Sequence, residues 1–430
     1  MLEPQRLGQL APERRQAILA RSRQDVSALV EEMRRICLDV AQRGDQAILE
    51  EQRQFKRHIC PDDLAVTPAE VEAAYAQTPD GIVEKLRFAA ANIERFHRAQ
   101  LPPEQAPVEV GPGVVAGRLI CPIEAVGCYI PGGRAAYPST ALMTIIPARV
   151  AGVERIVACT PPREGMVAHP AAVVAADIAG CHALYKIGGP WAIAAMAFGT
   201  ETVPRVQKIV GPGNRYVTAA KLAVFGQVDI DSPAGPSEVL ILADKSANPR
   251  WVAVDMLAQA EHDPDAAAVL VATSGELAEA AAGELERLVP HVPRAEIVRE
   301  ALARNSAILV ADTLEEAIAF ANDYAPEHLE VLTDDPQSIL PRIRNAGSIF
   351  LGPFAPVPAG DYASGTNHVL PTGQGAKAFS GLSVDDFLRK PTYQLLTREG
   401  LGWLGEAVVA LAEAEGLPLH ARAVRERLEG

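Results

Sequence analysis

A carboxylate and an imidazole stand side by side at Glu327 and His328. They follow Pro326, which ends the helical pattern of residues 313–322, and they precede an apolar run at 329–332 that predicts a short strand. Functional side chains are often presented at such junctions, and an acid beside an imidazole offers two different proton acceptors. Neighbours on a regular strand point to opposite faces, so both serve one site only at an irregular backbone. Taken alone, the pair is more typical of an exposed charged surface, and the rest of the chain has to decide.

Four nitrogen and oxygen donors elsewhere in the chain are of the kinds that hold zinc. Gln259 and His262 are three residues apart on a predicted helix and therefore share a face. Asp361 lies in a long loop rich in glycine and proline, 352–380, and His420 lies near the C-terminus. Because these donors are far apart in sequence, only the folded chain can bring them together.

Glycine-rich turns follow three predicted strands, at 131–133, 188–189 and 211–214. Each turn precedes a predicted helix, so its backbone N–H groups can meet a pyrophosphate. None matches the Gly-x-Gly-x-x-Gly fingerprint of dinucleotide-binding proteins. On their residues alone, these segments remain either phosphate-binding turns or simple tight turns.

The composition excludes several classes of protein. The 430 residues are 48% hydrophobic and 22% charged, which is an ordinary globular balance. A chain of this length corresponds to roughly three domains. A net charge of −14 argues against nucleic acid as a partner. No apolar run is long enough to span a membrane, the N-terminus lacks the apolar core of a signal peptide, and the six cysteines are scattered. We expect a cytoplasmic protein with no membrane partner.

The order of predicted elements indicates an α/β fold. Residues 1 to about 100 are helical in pattern, with an apolar stripe over 25–55. From residue 108, short β-branched runs alternate with alanine-rich helical stretches, which predicts parallel sheets covered by helices. This alternation forms two blocks, divided near 233–237, and a helical tail follows from residue 384.

Seven segments together resemble the histidinol dehydrogenase family over essentially the whole chain. They are YIPGG at 129–133, GPGN at 211–214, AGPSEV at 234–239, QAEHDP at 259–264, APEH at 325–328, GDYASGTNHVLP at 360–371 and EGLPLH at 415–420. The resemblance implies an enzyme that oxidises L-histidinol to L-histidine through L-histidinal, with two NAD⁺, at the end of histidine biosynthesis. It also implies one Zn²⁺ per subunit and an intertwined homodimer with shared active sites.

The resemblance further implies two Rossmann-like parallel-sheet domains that lack the glycine fingerprint. The expected division is a helical N-terminal segment at 1–24, a first α/β domain on the metal and substrate side at 25–128 and 237–381, a second α/β domain on the NAD side at 129–236, and a helical tail at 382–430 that crosses to the partner subunit.

Site residues are carried over from the resemblance one position at a time. His328 would accept the alcohol proton and act again in the second oxidation, and Glu327 would activate the water that hydrates the aldehyde. The zinc, which holds the substrate's imidazole and amino group, would be bound by Gln259, His262, Asp361 and His420. The substrate would contact these ligands and also Ser237, His328, His368 and Glu415.

Nucleotide contacts are expected at Tyr129 and Asn214. The family usually has a glutamine that touches NAD⁺ after the paired glycines, and this chain has Trp191 instead. Its indole offers a single N–H donor, so Trp191 either stacks on the cofactor or packs in the core.

Two other functions stay open at this point. A paralogous zinc- and NAD-dependent dehydrogenase of another small hydroxylated substrate, such as a sulfonated diol, would keep Glu327, His328 and the metal site. Ser237, His368 and Glu415 together favour histidinol over that substrate. A non-catalytic, zinc-stabilised oligomer would need neither a base nor an open coordination position.

Overall fold

The computed structural model describes residues 2–21, 26–56, 58–132 and 136–430. Strands recur along most of this length. Within these residues they are β1 (Pro4–Arg6), β2 (Val108–Gly111), β3 (Val114–Arg118), β4 (Cys121–Pro122), β5 (Ala125–Tyr129), β6 (Arg155–Cys159), β7 (Ala183–Tyr185), β8 (Lys208–Val210), β9 (Asp229–Ile230), β10 (Glu238–Ala243), β11 (Ala267–Ala272), β12 (Ala307–Val310), β13 (His328–Leu332), β14 (Ser348–Leu351), β15 (Leu388–Arg389) and β16 (Thr392–Leu396).

The helices mostly begin where the sequence supplies a cap or a proline. Thr67, for example, accepts from the backbone N–H of Glu70, whose side chain accepts in return from that of Thr67. None of the described helices combines the length and apolarity needed to cross a membrane. The α-helices are α1 (Pro12–Ala20), α2 (Ser27–Arg43), α3 (Asp45–Gln52), α4 (Pro68–Gln77), α5 (Asp80–Arg98), α6 (Pro138–Ala151), α7 (Pro170–Ala179), α8 (Gly189–Phe198), α9 (Arg215–Val224), α10 (Pro249–Ala260), α11 (Gly275–Leu288), α12 (Ala295–Asn305), α13 (Leu314–Tyr324), α14 (Pro336–Ile339), α15 (Val357–Tyr362), α16 (Arg398–Ala414) and α17 (Pro418–Glu429).

One parallel sheet contains five of the described strands in the order β7-β6-β5-β8-β9. All of β5 is buried, which explains why its sequence is a continuous apolar run without alternation. The chain winds outward in one direction from β5 through β6 to β7 and then returns to β8. In such sheets a crevice opens at the carboxyl ends of the two strands where the winding reverses, here β5 and β8.

The second parallel sheet repeats this winding in the order β12-β11-β10-β13-β14 and gains β1 at its edge. Its winding reverses between β10 and β13, which pair directly. The predicted alternation of strands and helices is therefore confirmed in both blocks. The N-terminal segment, predicted to be helical, contains α1 but begins with β1. Three residues give no periodicity to detect, and Gln5 is held in the sheet by pairing beside Leu309.

The early helices differ from the predicted grouping of 25–128 with 237–381. Met33 and Cys37 of α2 share a core with Val157 of β6, and Ile93 of α5 packs in the core of the same five-stranded sheet. The strand β5 also runs across the predicted boundary between 128 and 129. A helical stripe shows that one face is buried but does not say which sheet it covers. The predicted boundary between residues 24 and 25 lies outside the described residues.

The tail predicted to be helical from residue 384 begins with one short 3₁₀ helix, Val384–Phe387, and continues with strands. β15 pairs with β4, and β16 pairs antiparallel with β3, which also pairs with β2. These short strands are half exposed, so they lack the apolar runs that reveal buried strands. Helices α16 and α17 then form a hairpin, which confirms the helical C-terminal end.

The segment 352–380, predicted as one long loop, contains the short helix α15. Pro356 and Val357 start the helix, and the side chain of Glu330 accepts a hydrogen bond from the backbone N–H of Val357 at 2.9 Å. Asp361 is therefore carried by a helix that is anchored to β13 and not by a free loop.

Candidate active site

The backbone around Glu327 has the irregularity that a shared site requires. α13 ends at Tyr324, Ala325 adopts a left-handed conformation with φ of 49°, and β13 begins at His328. The catalytic candidates thus lie in the turn and at the first residue of the strand, and both are buried. This arrangement brings both side chains next to Glu238, the first residue of the neighbouring strand β10.

Glu238 is the group that fixes the two candidates. Its backbone N–H donates to Glu327 Oε2 at 2.8 Å, and its side-chain Oε1 accepts from the N–H of Glu327 at 3.2 Å. His328 Nδ1 lies 3.1 Å from the carbonyl oxygen of Glu238. A carbonyl can only accept, so Nδ1 carries a proton, and Nε2 is the nitrogen left to exchange one.

Behind Glu238 lies a buried ion pair that joins distant parts of the chain. Arg21 donates to both carboxylate oxygens of Glu238, and the two side chains are 0% and 1% exposed. Arg21 also donates to the carbonyl of Tyr324 at 2.8 Å, and its guanidinium lies 3.7 Å from the centre of that ring. The backbone N–H of Gly373 donates to Glu238 Oε1 at 3.1 Å.

Asp361 faces the free nitrogen of the imidazole. His328 Nε2 and Asp361 Oδ1 are 3.5 Å apart, and Nε2 has no hydrogen-bond partner among the described residues. His368 Nδ1 lies 2.9 Å from the carbonyl of Asp361, and its Nε2 lies 3.3 Å from Thr140 Oγ1. Thr140 belongs to the first turn of α6, so the site lies where the two sheet blocks meet.

The electrostatics of this pair follow from burial and close charges. Burial raises the pKa of Glu327 to about 8, although His328 and the N–H of Glu238 oppose this. For His328, burial lowers the pKa, but the carboxylates of Glu327 and Asp361 outweigh it and raise the pKa to about 9. For Asp361, burial raises the pKa, and the close imidazole of His328 overcomes this and lowers it. The cluster therefore holds exchangeable protons near neutral pH, as acid–base chemistry requires.

Three of the four expected metal donors lie around this cluster. Gln259 is buried on α10, and its Nε2 has no partner among the described residues. His262 follows the end of α10 and is close enough to lower the pKa of Asp361. Once the amide of Gln259 is turned so that its oxygen takes the place of Nε2, an amide oxygen, an imidazole and a carboxylate are available, and these suit a borderline-soft cation such as Zn²⁺.

The fourth donor does not join them within one chain. Among the described residues no three His, Cys, Asp or Glu side chains converge to hold a metal, so His262, Asp361 and His420 do not meet. His420 is exposed in the first turn of α17, and Glu415 is exposed where α16 ends. Ser237, in contrast, is half-buried and directly precedes Glu238 at the amino edge of the sheet.

The expected nucleotide contacts lie at the carboxyl edge of the five-stranded sheet. Tyr129 ends β5, and its hydroxyl accepts from the N–H of Gly189 at 3.0 Å. Asn214 is exposed and caps α9 by accepting from the N–H groups of its second and third residues. Gly211 has φ of 119°, and a Cβ there would collide with the carbonyl of Tyr129, so the turn requires glycine. Trp191 is partly buried and packs against the core. Gly133 lies outside the described residues.

Sequence reasoning missed three residues that build this site. Glu238 lies inside the segment 234–239 already singled out, and a buried strand that starts with glutamate was a usable signal. Arg21 and Thr140 gave no signal, because each reaches the site only through contacts more than 200 residues away in the chain.

Comparisons with known proteins point to one family. The family model "Histidinol dehydrogenase" matches residues 19–428. A histidinol dehydrogenase from Methanothermobacter thermautotrophicus is 52% identical over 411 residues, covering 96% of each chain. One from Methanocaldococcus jannaschii is 48% identical and covers 99% of this chain and 98% of its own. The crystal structure of histidinol dehydrogenase from Elizabethkingia anophelis superposes with a TM-score of 0.91 at 40% identity, covering 98% of this chain and 96% of that one.

Proposed function

This chain belongs to the histidinol dehydrogenase family, and it is an NAD-dependent oxidoreductase that oxidises histidinol in histidine biosynthesis; from this premise we propose how its own residues carry out the reaction. The proposal is a two-step oxidation, from alcohol to aldehyde to carboxylate, in one site around His328. The observation that carries it is the buried arrangement of Glu327, His328 and Asp361 at the meeting point of the two sheets.

In the first step His328 Nε2 accepts the proton of the substrate hydroxyl, and the hydride on the same carbon leaves with NAD⁺. The bond from Nδ1 to the carbonyl of Glu238 supports this role, because it holds the ring with Nε2 turned toward Asp361. Glu327 then takes a proton from the water that adds to the aldehyde. The carboxylate of Glu327 lies 3.4 Å from His328 Nδ1, so the two groups can share protons without leaving their places. In the second oxidation His328 again accepts the hydroxyl proton.

Gln259, His262 and Asp361 would hold a zinc ion, whose contribution when bound is to fix the substrate's imidazole and amino group. The burial of Gln259 on α10, close before His262, supports this assignment, because its amide can turn so that the oxygen, which can bind a cation, takes the position of the unpartnered Nε2. Ser237 would contact the substrate from the residue before β10, and His368 from the segment that follows α15. Tyr129 and Asn214 would border the nucleotide at the reversal of the five-stranded sheet. Trp191 would contribute mainly by packing beneath that edge.

We propose that the fourth zinc ligand is His420 of a second copy of the chain, with Glu415 beside it. The hairpin of α16 and α17 is consistent with this assembly, because Leu411 and Leu419 are 65% and 73% exposed. Apolar side chains of that size are normally covered. A twofold homodimer in which each tail crosses to the partner would contain two equivalent composite sites. Four apolar residues recur along α16; Leu401 and Leu404 are half-buried within one chain, and Val408 and Leu411 are exposed.

The central experiment supplies L-histidinol and NAD⁺ to the purified, zinc-loaded protein and measures NADH and histidine together. We expect two NADH for each histidine, with little free histidinal. One NADH per molecule of substrate, with aldehyde accumulating, would show a simple alcohol dehydrogenase and contradict the two-step proposal. Turnover of a sulfonated diol in preference to histidinol would favour the paralogous dehydrogenase.

The shared site is tested by refolding two inactive variants together, His328→Ala and His420→Ala. Random pairing makes about half of the dimers hybrid, and in each hybrid one site carries both substitutions and the other carries none. Activity should therefore recover to about a quarter of wild type by the same counting. If each site is built within one chain, every site keeps a substitution, and hybrids verified by mass would stay inactive.

A further inference from the structure

The six-stranded sheet has its own crevice, on the edge opposite the catalytic residues. Glu238 and His328 are the first residues of β10 and β13, so the catalytic cluster lies at the amino ends of these strands. The winding reverses between these same two strands, and ligand sites of such sheets lie at the carboxyl ends. Five residues of β13 separate the two edges, about 13 Å at roughly 3.3 Å per residue.

A cavity of about 240 Å³ occupies that crevice. This is below the roughly 300–1,000 Å³ of common ligand pockets, so an occupant would be small. Trp251 forms part of its wall and is 45% exposed, with the ring of Phe354 6.1 Å away. The lining also includes Asn248, Asp255, Glu330, Thr333 and Asp334.

Two buried polar atoms of this lining are unused. Glu330 is 0% exposed, and while its Oε1 accepts from the N–H of Val357, its Oε2 has no partner among the described residues. The hydroxyl of Thr333, which is 7% exposed, is likewise unpartnered there. Native structures rarely leave such groups unsatisfied, so each points to a bound partner.

The ionisable side chains that line the cavity are all acidic. Asp255, Glu330 and Asp334 are acidic, and no lining residue is Lys, Arg or His. Burial and the charge of Asp255 raise the pKa of Glu330 to about 8, and burial raises that of Asp255 to about 6. Near neutral pH the Glu330 side chain is therefore mostly a neutral acid, and a cation bound beside it would favour the ionised form.

An anion and a metal ion fit this cavity less well. The amino end of α10 faces the crevice, but Asn248 already accepts from the N–H groups of Arg250 and Trp251. No metal-holding group of three His, Cys, Asp or Glu side chains occurs in the described part of the chain. An aromatic wall beside carboxylates is instead typical of sites for organic cations.

We propose that this cavity binds a small organic ammonium ion. Its N–H groups donate to the carboxylates of Glu330 and Asp255 and to the hydroxyl of Thr333, and the indole of Trp251 covers its charge. The site is separate from the catalytic one, and it would be occupied whether or not substrate is bound.

Benzylammonium is a suitable probe, and benzyl alcohol is its neutral counterpart of the same shape. In calorimetric titration of the full-length protein we expect benzylammonium to bind at least tenfold more tightly than benzyl alcohol. Trp251→Ala should weaken benzylammonium about three- to thirtyfold, the range of cation–π contributions. Thr333→Val, which keeps the shape of the side chain, should weaken it about tenfold, as expected for a lost bond to a charged group. Glu330→Gln should weaken the binding of benzylammonium at least as much as Thr333→Val does.

The controls separate this site from the catalytic one. Phe88→Ala removes another exposed aromatic ring, 59% exposed, and should leave the affinity unchanged. His262→Ala, at the catalytic edge, should also leave it unchanged. If Glu330→Gln fails to fold, the affinities of Trp251→Ala and Thr333→Val for benzylammonium still test the proposal. Equal affinity for amine and alcohol, no effect of these two variants, or loss of binding in His262→Ala would each overturn the proposal.

Discussion

The buried ion pair between Arg21 and Glu238 gives a sharp test of how the catalytic residues are positioned. Arg21→Met removes the positive partner and leaves the carboxylate of Glu238 buried without its counter-charge. Removing one partner of a buried pair costs about 3–5 kcal/mol. We therefore expect the free energy of unfolding, from urea titration at fixed protein concentration, to fall by about that amount.

The same change should also slow the reaction, because it displaces the backbone of Glu327. Glu238 Oε1 accepts from its N–H, so a carboxylate that moves toward water takes Glu327 and His328 with it. A displacement of about 1 Å can cost roughly 100-fold in rate. We expect kcat for NADH formation to fall by about that factor, with KM for histidinol changed far less, because the described contacts of Arg21 are with protein groups.

Arg15→Met is the matched control on the same helix. Arg15 also forms an ion pair, with Asp323 at 3.1 Å, and it also lies over an aromatic ring, that of Phe320. This pair is exposed, so its loss should cost at most about 1 kcal/mol. Adding Glu238→Gln to Arg21→Met removes the stranded charge but keeps an acceptor, so the double variant should be more stable than Arg21→Met. Equal stability and equal kcat for the Arg15 and Arg21 variants would refute the positioning role.

Two further predictions concern the reacting groups and the metal. Glu327→Gln should retain oxidation of histidinol to the aldehyde better than His328→Gln does, and it should lose aldehyde oxidation by about 10²–10⁴-fold, measured by supplying each intermediate separately. Equal damage to both half-reactions in both variants would contradict this division of roles. A chelator should abolish turnover while circular dichroism stays nearly unchanged, since both sheet cores form without metal ligands, and His262→Ala should not retain zinc by elemental analysis. Tight, stoichiometric zinc in that variant would show that the proposed ligands are wrong.

Sequence patterns predicted the buried parts of this fold well. β11 and β12 lie within continuous apolar runs, at 266–272 and 307–311, because strands covered on both faces are apolar throughout. β1 and β16 escaped prediction, since a short or exposed strand owes its shape to the partner it pairs with and not to its own residues. The assignment of α2 failed for a related reason, because amphipathicity does not identify the surface that a helix covers.

The site residues fall into the same two groups, those that local sequence reveals and those that only the fold brings together. Glu327 and His328 could be found because a proline, a turn and a strand follow one another locally. The partners that hold them, Arg21 and Glu238, could be joined only by the fold, since an ion pair between residues 217 positions apart leaves no spacing to read. His420 remains a prediction of the resemblance, and the hybrid experiment decides where it acts.

The positions of the two crevices explain why a chain with two similar sheets has one catalytic centre. The crevice of the five-stranded sheet opens beside α6, and the first turn of α6 places Thr140 against His368. The proposed NAD site therefore faces the amino edge of β13, where His328 begins the strand. The carboxyl edge of β13, with Glu330 and Thr333, faces away from it. Hydride transfer needs the cofactor at the C–H bond and the base at the O–H bond of one substrate, and only at the first of these edges does a base, His328, lie near the proposed NAD site.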